Sequence, residues 1–340
     1  MKKVYLSVVI PAYNASVSLV RLLQSLRASK FKNFEVIIGD DASFESMESL
    51  CGETAKRSSF PVHFLRLKKN MGPAGARNEA AKKAKGAIIV FLDSDVEVYP
   101  DTLGNIAARF TNDPDLTAVT GVWDRHQRTN RFFPQYKALR DWSYWINERD
   151  SDGYYYLFST RIAALRRKVF ERLGGFNTVF RQMEDVEITY RIARRYAIIF
   201  APDVRVHHEF EDFYPVAKKY FWRSFYWMKL YKERKKFDPV ATTRWESLAA
   251  ITASGALGVC ALGILLFFIY PSYELRYYTL NLFIVFLLIH VLLIRRFLFF
   301  VRREKGTLFM MQSLITGMLL YCIIVLGSGY SYLQNRYHNS

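Results

Sequence analysis

Short apolar runs alternate with helical stretches in the front part of the chain. Runs rich in β-branched residues predict four strands, namely Val4–Ile10, Phe34–Gly39, Val62–Leu67 and Ala87–Leu92. The stretches between them predict three helices, namely Ser16–Ser29, Phe44–Lys56 and Gly72–Ala84. Strands that alternate with helices form parallel sheets joined by right-handed crossovers. The sequence therefore predicts an α/β fold with a doubly wound, mostly parallel sheet.

Three longer apolar runs follow the front part. The runs Ser247–Tyr270, Tyr277–Ile294 and Thr307–Tyr330 contain no Asp, Glu, Lys or Arg. Each is close to the ~20 residues that a helix needs to cross the hydrocarbon core of a bilayer. They predict about three transmembrane helices, and hence an integral membrane protein.

The front domain is expected on the cytoplasmic face of the membrane. No N-terminal secretory signal is visible, because only a short strand-like run precedes Pro11. The loop predicted between the second and third spans, Arg295–Gly306, contains five basic residues and one acidic residue. Basic loops are retained in the cytoplasm, which agrees with this orientation.

The excess of 48 basic over 31 acidic residues indicates an anionic partner, such as a phosphate group or an acidic lipid headgroup. Nucleic acid is disfavoured as a partner, because the apolar runs direct the chain to a membrane. The cysteines at positions 51, 260 and 322 have no paired spacing, so no disulfide framework is expected.

The candidate chemistry lies where the predicted strands end, since ligands of doubly wound sheets bind there. Asp93 and Asp95 follow the strand that ends at Leu92. Two carboxylates in this position suit Mg²⁺ or Mn²⁺ holding a diphosphate, because these ions prefer hard oxygen ligands. Asp and Ser are equally favoured in a turn that caps a helix, so the residues alone leave both interpretations open.

Three further segments follow strands or open helices. Asp41 can accept hydrogen bonds from a nucleobase or a ribose hydroxyl, or it can cap the next helix. Pro11, Ala12 and Tyr13 end the first strand in a turn whose backbone can face a base, although any surface turn has similar residues. Arg77, near the start of a helix, can reach a base or a phosphate with its fork of donors, or remain an exposed helix residue.

In chain order these four features are Pro11–Tyr13, Asp41, Arg77 and Asp93–Asp95. As an ordered set they resemble the family 2 glycosyltransferases of the GT-A fold. Gly174-Gly175-Phe176-Asn177 resembles the acceptor loop of that family, and Met183-Glu184-Asp185-Val186-Glu187 resembles its Glu-Asp motif. The resemblance covers about residues 4 to 210. It implies a GT-A catalytic domain and a nucleotide-sugar donor.

The resemblance also implies roles for single residues. Asp185, with Glu184 in the same motif, is expected to be catalytic, and Asp185 to act as the general base. Asp95 is expected to be the main metal ligand and Asp93 a ribose or metal contact, while Asp41 contacts uracil if the donor carries uridine. A solvated charged helix face is the alternative for the Glu-Asp motif.

His208 is the remaining expected metal ligand. In similar enzymes a histidine at the end of a strand lies near the metal, and His208 follows the predicted strand Pro202–Val206. A surface position is the alternative for this histidine and for its neighbour.

The segment Tyr214–Lys236 interleaves basic and aromatic side chains and predicts a helix at the level of the lipid headgroups. Lys219 and Arg223 lie one turn apart there, and we expect them to contact the donor diphosphate. Processive members of the family carry Gln-x-x-Arg-Trp near this position. The chain has Trp222-Arg223 instead, which argues against a polymerase.

The predicted organisation is a GT-A domain at 1–213, an interfacial helix region at 214–246 and a transmembrane region at 247–340. A second aromatic stretch, Phe132–Trp145, is interpreted either as another membrane-facing helix or as ordinary core packing.

The predicted function is an inverting, metal-dependent transfer of a sugar, most simply from a UDP-sugar, to a hydroxyl of a lipid or lipid-linked saccharide. A hydroxyl needs a base to become a nucleophile, and the departing diphosphate needs its charge neutralised. A polyprenyl phosphate as acceptor is one alternative. A catalytically silent membrane scaffold or nucleotide-sugar sensor is the other.

Overall fold

The computed structural model of the chain describes residues 4–148, 156–180, 182–235, 237, 240, 242–269 and 273–337. The chain forms two compact units. The first consists of Met1–Arg128 and Asp150–Phe210, and the second of Thr129–Arg149 and Glu211–Ser340.

The first unit contains a sheet of eight strands. Their bounds are β1 (Leu6–Ala12), β2 (Phe34–Asp40), β3 (Val62–Arg66), β4 (Ile88–Leu92), β5 (Val96–Val98), β6 (Ala118–Trp123), β7 (Ile162–Arg166) and β8 (Ile198–His208). The order across the sheet is β3-β2-β1-β4-β7-β6-β8-β5. The pairs among β1, β2, β3 and β4 are parallel, and so is the pair β6 and β8. The predicted α/β class with a mostly parallel sheet is therefore confirmed.

Six helices of the first unit connect the strands. They are α1 (Ser16–Arg27), α2 (Glu48–Lys56), α3 (Gly72–Ala81), α4 (Thr102–Asn112), α6 (Arg167–Leu173) and α7 (Glu184–Ala193). Before α6 in the chain, the helix α5 (Phe132–Ser143) and the π-helical turn Tyr144–Glu148 belong to the second unit. The three predicted helices correspond to α1, α2 and α3, with ends that differ by up to four residues.

The central strands β1, β2 and β4 are buried along their whole length. Helices cover both faces of such parallel sheets, which is why these strands are continuous apolar runs. The strand order reverses at β1, which pairs with β2 on one side and β4 on the other. The carboxyl ends of these three strands therefore meet at a switch point of the kind where ligands bind.

One detail of β1 differs from the prediction. Pro11 and Ala12 are the last two residues of the strand and pair with Gly39 and Asp40, whereas the sequence placed both in a turn. The ladder between β1 and β4 ends at Val9, so no N–H of Pro11 is needed on that side. A proline at the end of a ladder is consequently tolerated.

Gly121 allows the close approach of β6 and β8. A Cβ atom at this residue would lie 2.2 Å from the carbonyl oxygen of Val204, closer than any side chain can approach. The register of the two strands shifts between Thr120 and Val122. Beyond this irregularity the two strands stay paired, Val122 with Arg205 and Trp123 with Val206.

The second unit is helical. Besides α5 it contains α8 (Phe213–Arg234), α9 (Arg244–Ile269), α10 (Tyr273–Leu293), α11 (Arg295–Lys305) and α12 (Thr307–Tyr337). Within the described ranges, three helices are long and apolar enough to cross a membrane, namely Arg244–Ile269, Tyr273–Leu293 and Thr307–Gln334. They correspond to the three predicted spans.

Two segments of the second unit add to the sequence-based picture. The basic segment predicted as a loop is the helix α11, because Phe297, Leu298 and Val301 form one apolar face that packs into the core of this unit. In α5, Phe133 and Tyr136 belong to the same core. Ordinary packing therefore accounts for these two rings of the second aromatic stretch.

Candidate active site

Asp95 and His208 form the centre of the candidate site. β5 begins at Val96, which pairs with His208 at the end of β8, and this pairing brings the residue before Val96 beside the histidine. Nε2 of His208 lies 3.3 Å from a carboxylate oxygen of Asp95. Two residues separated by 113 positions in sequence are thereby adjacent.

The chemistry of this pair fits a divalent cation. An imidazole nitrogen and a carboxylate oxygen are both suitable donors to Mn²⁺. Nδ1 of His208 is buried and has no hydrogen-bond partner within the described part of the chain, while the side chain of Asp95 is 54% exposed. Among the described residues no three His, Cys, Asp or Glu side chains converge as a ready-made metal site. Two protein ligands are nevertheless consistent with Mg²⁺ or Mn²⁺, which commonly complete their coordination with substrate phosphates and water.

Asp95 is held in its ionised form by its neighbours. Desolvation raises the pKa of Asp95, but the hydrogen bond and charge of His208 and the charge of Arg161 outweigh this effect and lower the pKa to about 2. The carboxylate is therefore available as an anionic ligand at neutral pH.

Arg77 links three distant segments of the chain. Its side chain is 3% exposed, and its guanidinium donates one hydrogen bond to Asp93 and another, 2.8 Å long, to Glu184. It thereby joins α3 to the turn after β4 and to the first residue of α7. The sequence suggested a base or phosphate contact for Arg77, and that role stays a prediction. What the structure shows is a guanidinium that bridges two carboxylates.

The Glu-Asp motif occupies the first turn of α7. Burial raises the pKa of Glu184, and the nearby Arg77 opposes this rise. Asp185 is half-buried, and its carboxylate accepts a hydrogen bond of 2.9 Å from the N–H of Val186. Because Glu184 and Asp93 share Arg77, the motif lies beside the Asp93–Asp95 turn. The catalytic role of the motif stays a prediction.

The backbone at the start of α7 is strained. Met183, the residue before the motif, has a left-handed conformation with φ of 70°, which is unusual for a non-glycine residue. Such conformations cost about 1–3 kcal/mol and concentrate at functional sites. Met183 directly precedes Glu184, whose carboxylate accepts the hydrogen bond from Arg77.

Asn78 supports the Gly-Gly-Phe loop, a role that the sequence did not reveal. Its side-chain amide accepts a hydrogen bond from the N–H of Phe176 and donates one to the carbonyl of Phe176, each 2.8 Å long. A Cβ atom on Gly175 would lie 2.6 Å from the side-chain oxygen of Asn78. The only sequence signal was the position of Asn78 next to Arg77.

A second group of predicted residues lies at the ends of β1 and β2. Asp41 is buried, and its carboxylate accepts a hydrogen bond of 2.7 Å from the N–H of Met71, while its N–H donates to the carbonyl of Ala12. Tyr13 is 45% exposed, and Phe44, with its ring 6.1 Å from that of Tyr13, is 87% exposed. Exposed rings beside a carboxylate can stack with and recognise a base.

Lys219 and Arg223 lie on α8 in the second unit. Lys219 forms an ion pair with Glu211 of the same unit. The expected contact of Lys219 and Arg223 with the donor diphosphate stays a prediction.

The buried ion pairs of Arg77 predict a large effect on stability. We expect Arg77→Ala to destabilise the first unit by about 3–5 kcal/mol, because Glu184 would be left buried without a counter-charge.

Arg109→Ala is the matched control. Arg109 pairs with Asp203 at the surface, and loss of an exposed pair costs about 0–1 kcal/mol. Thermal unfolding of the full chain in detergent measures both. Equal unfolding temperatures for the two variants would contradict the bridging role.

Comparison with known proteins identifies the class to which this domain belongs. Residues 7–174 match the family model "Glycosyl transferase family 2". The fold, its switch-point carboxylates and this match define a glycosyltransferase domain. The domain belongs to glycosyltransferase family 2, as the resemblance in the sequence implied.

Similar proteins support this assignment. The chain is 27% identical over 192 residues to an uncharacterized glycosyltransferase of Haemophilus influenzae, covering 55% of this chain and 61% of that protein. It is 31% identical over 101 residues to a GalNAc(5)-diNAcBac-PP-undecaprenol beta-1,3-glucosyltransferase of Campylobacter jejuni, covering 30% of this chain and 33% of that protein. The match thus spans about a third to three fifths of these relatives.

A solved structure confirms the fold class. The mannosyltransferase PcManGT of Pyrobaculum calidifontis, in complex with GDP-Man and Mn²⁺, is similar with a TM-score of 0.57 and 17% identity, covering 96% of this chain and 86% of that chain. At this level of identity the likeness establishes the GT-A fold alone.

Proposed function

We propose that the protein is an inverting, metal-dependent glycosyltransferase that moves a sugar from a nucleotide diphosphate-sugar to a hydroxyl of a membrane-associated acceptor. The observation that carries this proposal is the bridge made by Arg77. Arg77 pairs with both Asp93 and Glu184, and Asp95 lies beside His208. This arrangement supports the assignment of a base and a metal-ligand pair to one site.

The donor fits the ends of the central strands. Asp41 and the exposed ring of Tyr13 suit the nucleoside, with Pro11 and Ala12 in the adjoining strand end. Asp95 and His208 would hold Mg²⁺ or Mn²⁺ against the diphosphate. Such an ion, when bound, neutralises charge on the departing diphosphate. The mannosyltransferase with GDP-Man and Mn²⁺ binds ligands of these two kinds. UDP-sugar is our first expectation for the donor here.

Asp185 supplies the base. Its carboxylate takes the proton of the acceptor hydroxyl as the oxygen attacks the anomeric carbon, and a single displacement inverts that carbon. Arg77 fixes Glu184 and thereby the first turn of α7, so its effect on the base is one of position. An anionic phosphate acceptor would need no base, and for this reason the motif favours a hydroxyl over a polyprenyl phosphate.

A lipid-linked acceptor and a membrane location fit the second unit. Three helices have the length and composition of membrane spans, and the relative from Campylobacter jejuni is named for a PP-undecaprenol-linked substrate. We propose that the first unit lies on the cytoplasmic face, because Arg295–Lys305 carries the basic residues that are retained there.

A donor screen tests the proposed function. The full chain in lipid nanodiscs is incubated with UDP-, GDP- and dTDP-sugars, Mn²⁺ and a bacterial lipid extract, and release of the nucleoside diphosphate is measured. We expect release with one class of donor, at least tenfold faster with extract than without it. A scaffold or sensor would bind a donor without such release. Failure to bind any of these nucleotides would contradict the proposal.

A further inference from the structure

Arg161 lies at the same end of the sheet as the metal-ligand pair, although nothing in the sequence singled it out. In the antiparallel pair of β4 and β7, Leu92 is opposite Ile162. The residue after Leu92 is Asp93, and the residue before Ile162 is Arg161. Asp93 and Arg161 are therefore neighbours at the end of this strand pair, the same end at which Asp95 lies.

Two aromatic rings flank the guanidinium of Arg161. Its central carbon lies 4.7 Å from the ring centroid of Trp123 and 5.7 Å from that of Phe210. Both rings are buried. The ring of Phe210 also packs edge-on against His208, with 4.5 Å between their centroids. A single aromatic side chain thus connects Arg161 to the Asp95–His208 pair.

This environment suits a guanidinium that binds an anion. A guanidinium that is stacked on aromatic faces has its orientation fixed, yet its N–H donors point outward in its own plane. Those donors match the oxygens of a phosphate group in a bidentate geometry. Because Phe210 contacts both Arg161 and His208, the guanidinium lies close to the Asp95–His208 pair.

We propose that Arg161 binds the diphosphate of the nucleotide-sugar donor and stabilises it as the leaving group. This inference rests on the proposed function. In the transfer step, the bond between the anomeric carbon and the diphosphate oxygen breaks, and its electron pair stays on that oxygen. The acceptor oxygen forms the new bond to the anomeric carbon, and its proton passes to Asp185. The diphosphate gains negative charge, which Arg161 offsets.

A binding experiment distinguishes this role from simple packing. Affinities of UDP and GDP, and of uridine and guanosine, are measured for the full chain in detergent with Mn²⁺. We expect Arg161→Gln to weaken diphosphate binding on the order of tenfold or more, because a charge-assisted hydrogen bond is lost. Binding of the matching nucleoside should stay within about twofold, since its base and ribose lie at the ends of β1 and β2.

Arg205→Gln is the matched control. Arg205 is also stacked on an aromatic ring, with 5.2 Å to the ring centroid of Tyr99, but it is not part of the proposed site. We expect its diphosphate affinity to stay within about twofold of wild type. Arg161→Lys keeps the charge without the planar fork, and should retain an intermediate affinity. Thermal unfolding establishes that each variant is folded.

The outcomes separate the two proposals. If the wild type binds neither UDP nor GDP, the proposed function fails and this inference fails with it. If the wild type binds a diphosphate and Arg161→Gln binds it equally well, the inference alone is overturned. Equal losses for nucleoside and diphosphate would show a general structural defect and would also overturn it. An intermediate diphosphate affinity of Arg161→Lys, together with the loss in Arg161→Gln, supports the proposal.

Discussion

Asp185→Asn should reduce the rate of sugar transfer by about 10²–10⁴-fold, the range that loss of a general base produces. Asparagine has the same shape and can still accept the hydrogen bond from the N–H of Val186. The start of α7 should therefore be preserved, and the donor affinity should remain within about twofold. Transfer rates and donor affinities of the full chain in nanodiscs measure these two quantities separately.

Glu171→Gln is the control for the loss of a carboxylate. Glu171 lies on α6 and pairs at the surface with Arg167, so we expect a change in transfer rate of less than about threefold. If Asp185→Asn transfers sugar at the wild-type rate, Asp185 is not the base. An acceptor that is already anionic, such as a polyprenyl phosphate, would then be favoured, and adding that phosphate as acceptor tests it directly.

Asp95→Asn should abolish the stimulation of both donor binding and transfer by Mn²⁺. A neutral amide is a far weaker ligand for a hard cation than a carboxylate, and Asp95 lies beside His208, the other predicted ligand. We expect the transfer rate to fall at least 10³-fold, since the charge on the leaving diphosphate would no longer be neutralised. Removal of divalent ions with EDTA should reduce the wild-type rate to the same level.

Mn²⁺ binding provides a second readout for this variant. Electron paramagnetic resonance of added Mn²⁺ should show bound ion with the wild type and UDP, and free ion with Asp95→Asn. Asp203→Asn, which changes an exposed carboxylate paired with Arg109, should behave like the wild type. A wild type whose rate is unchanged by EDTA would show that Asp95 and His208 do not serve as a metal site.

Much of the fold follows from local patterns in the chain. The buried strands β1, β2 and β4 are continuous apolar runs, so both their existence and their parallel arrangement were predictable. Helix ends were less accurate. α2 begins at Glu48 and not at Phe44, because the exposed Phe44 has its N–H bonded to the side chain of Asn14 in another segment.

Residues at strand ends were identified as functional candidates, whereas their partners were not. The chain order showed that Asp93 and Asp95 follow β4, since the local sequence determines where a strand ends. The chain order did not indicate that the two terminal nitrogens of the Arg77 guanidinium form ion pairs with Asp93 and Glu184. Arg77 is 16 positions from Asp93 and 107 positions from Glu184 along the chain. Ion pairs over such separations depend on packing, which no local sequence pattern encodes.

The sequence by itself determined that a mostly parallel sheet carries carboxylates at its strand ends and that three apolar helices follow. Hydrophobic periodicity is a local property, and it suffices for elements and for their order. Only the tertiary structure decided which side chains meet. The adjacency of His208 to Asp95, the bridge by Arg77 and the aromatic flanks of Arg161 all arise from strand pairing and burial, because these bring together residues that the chain keeps far apart.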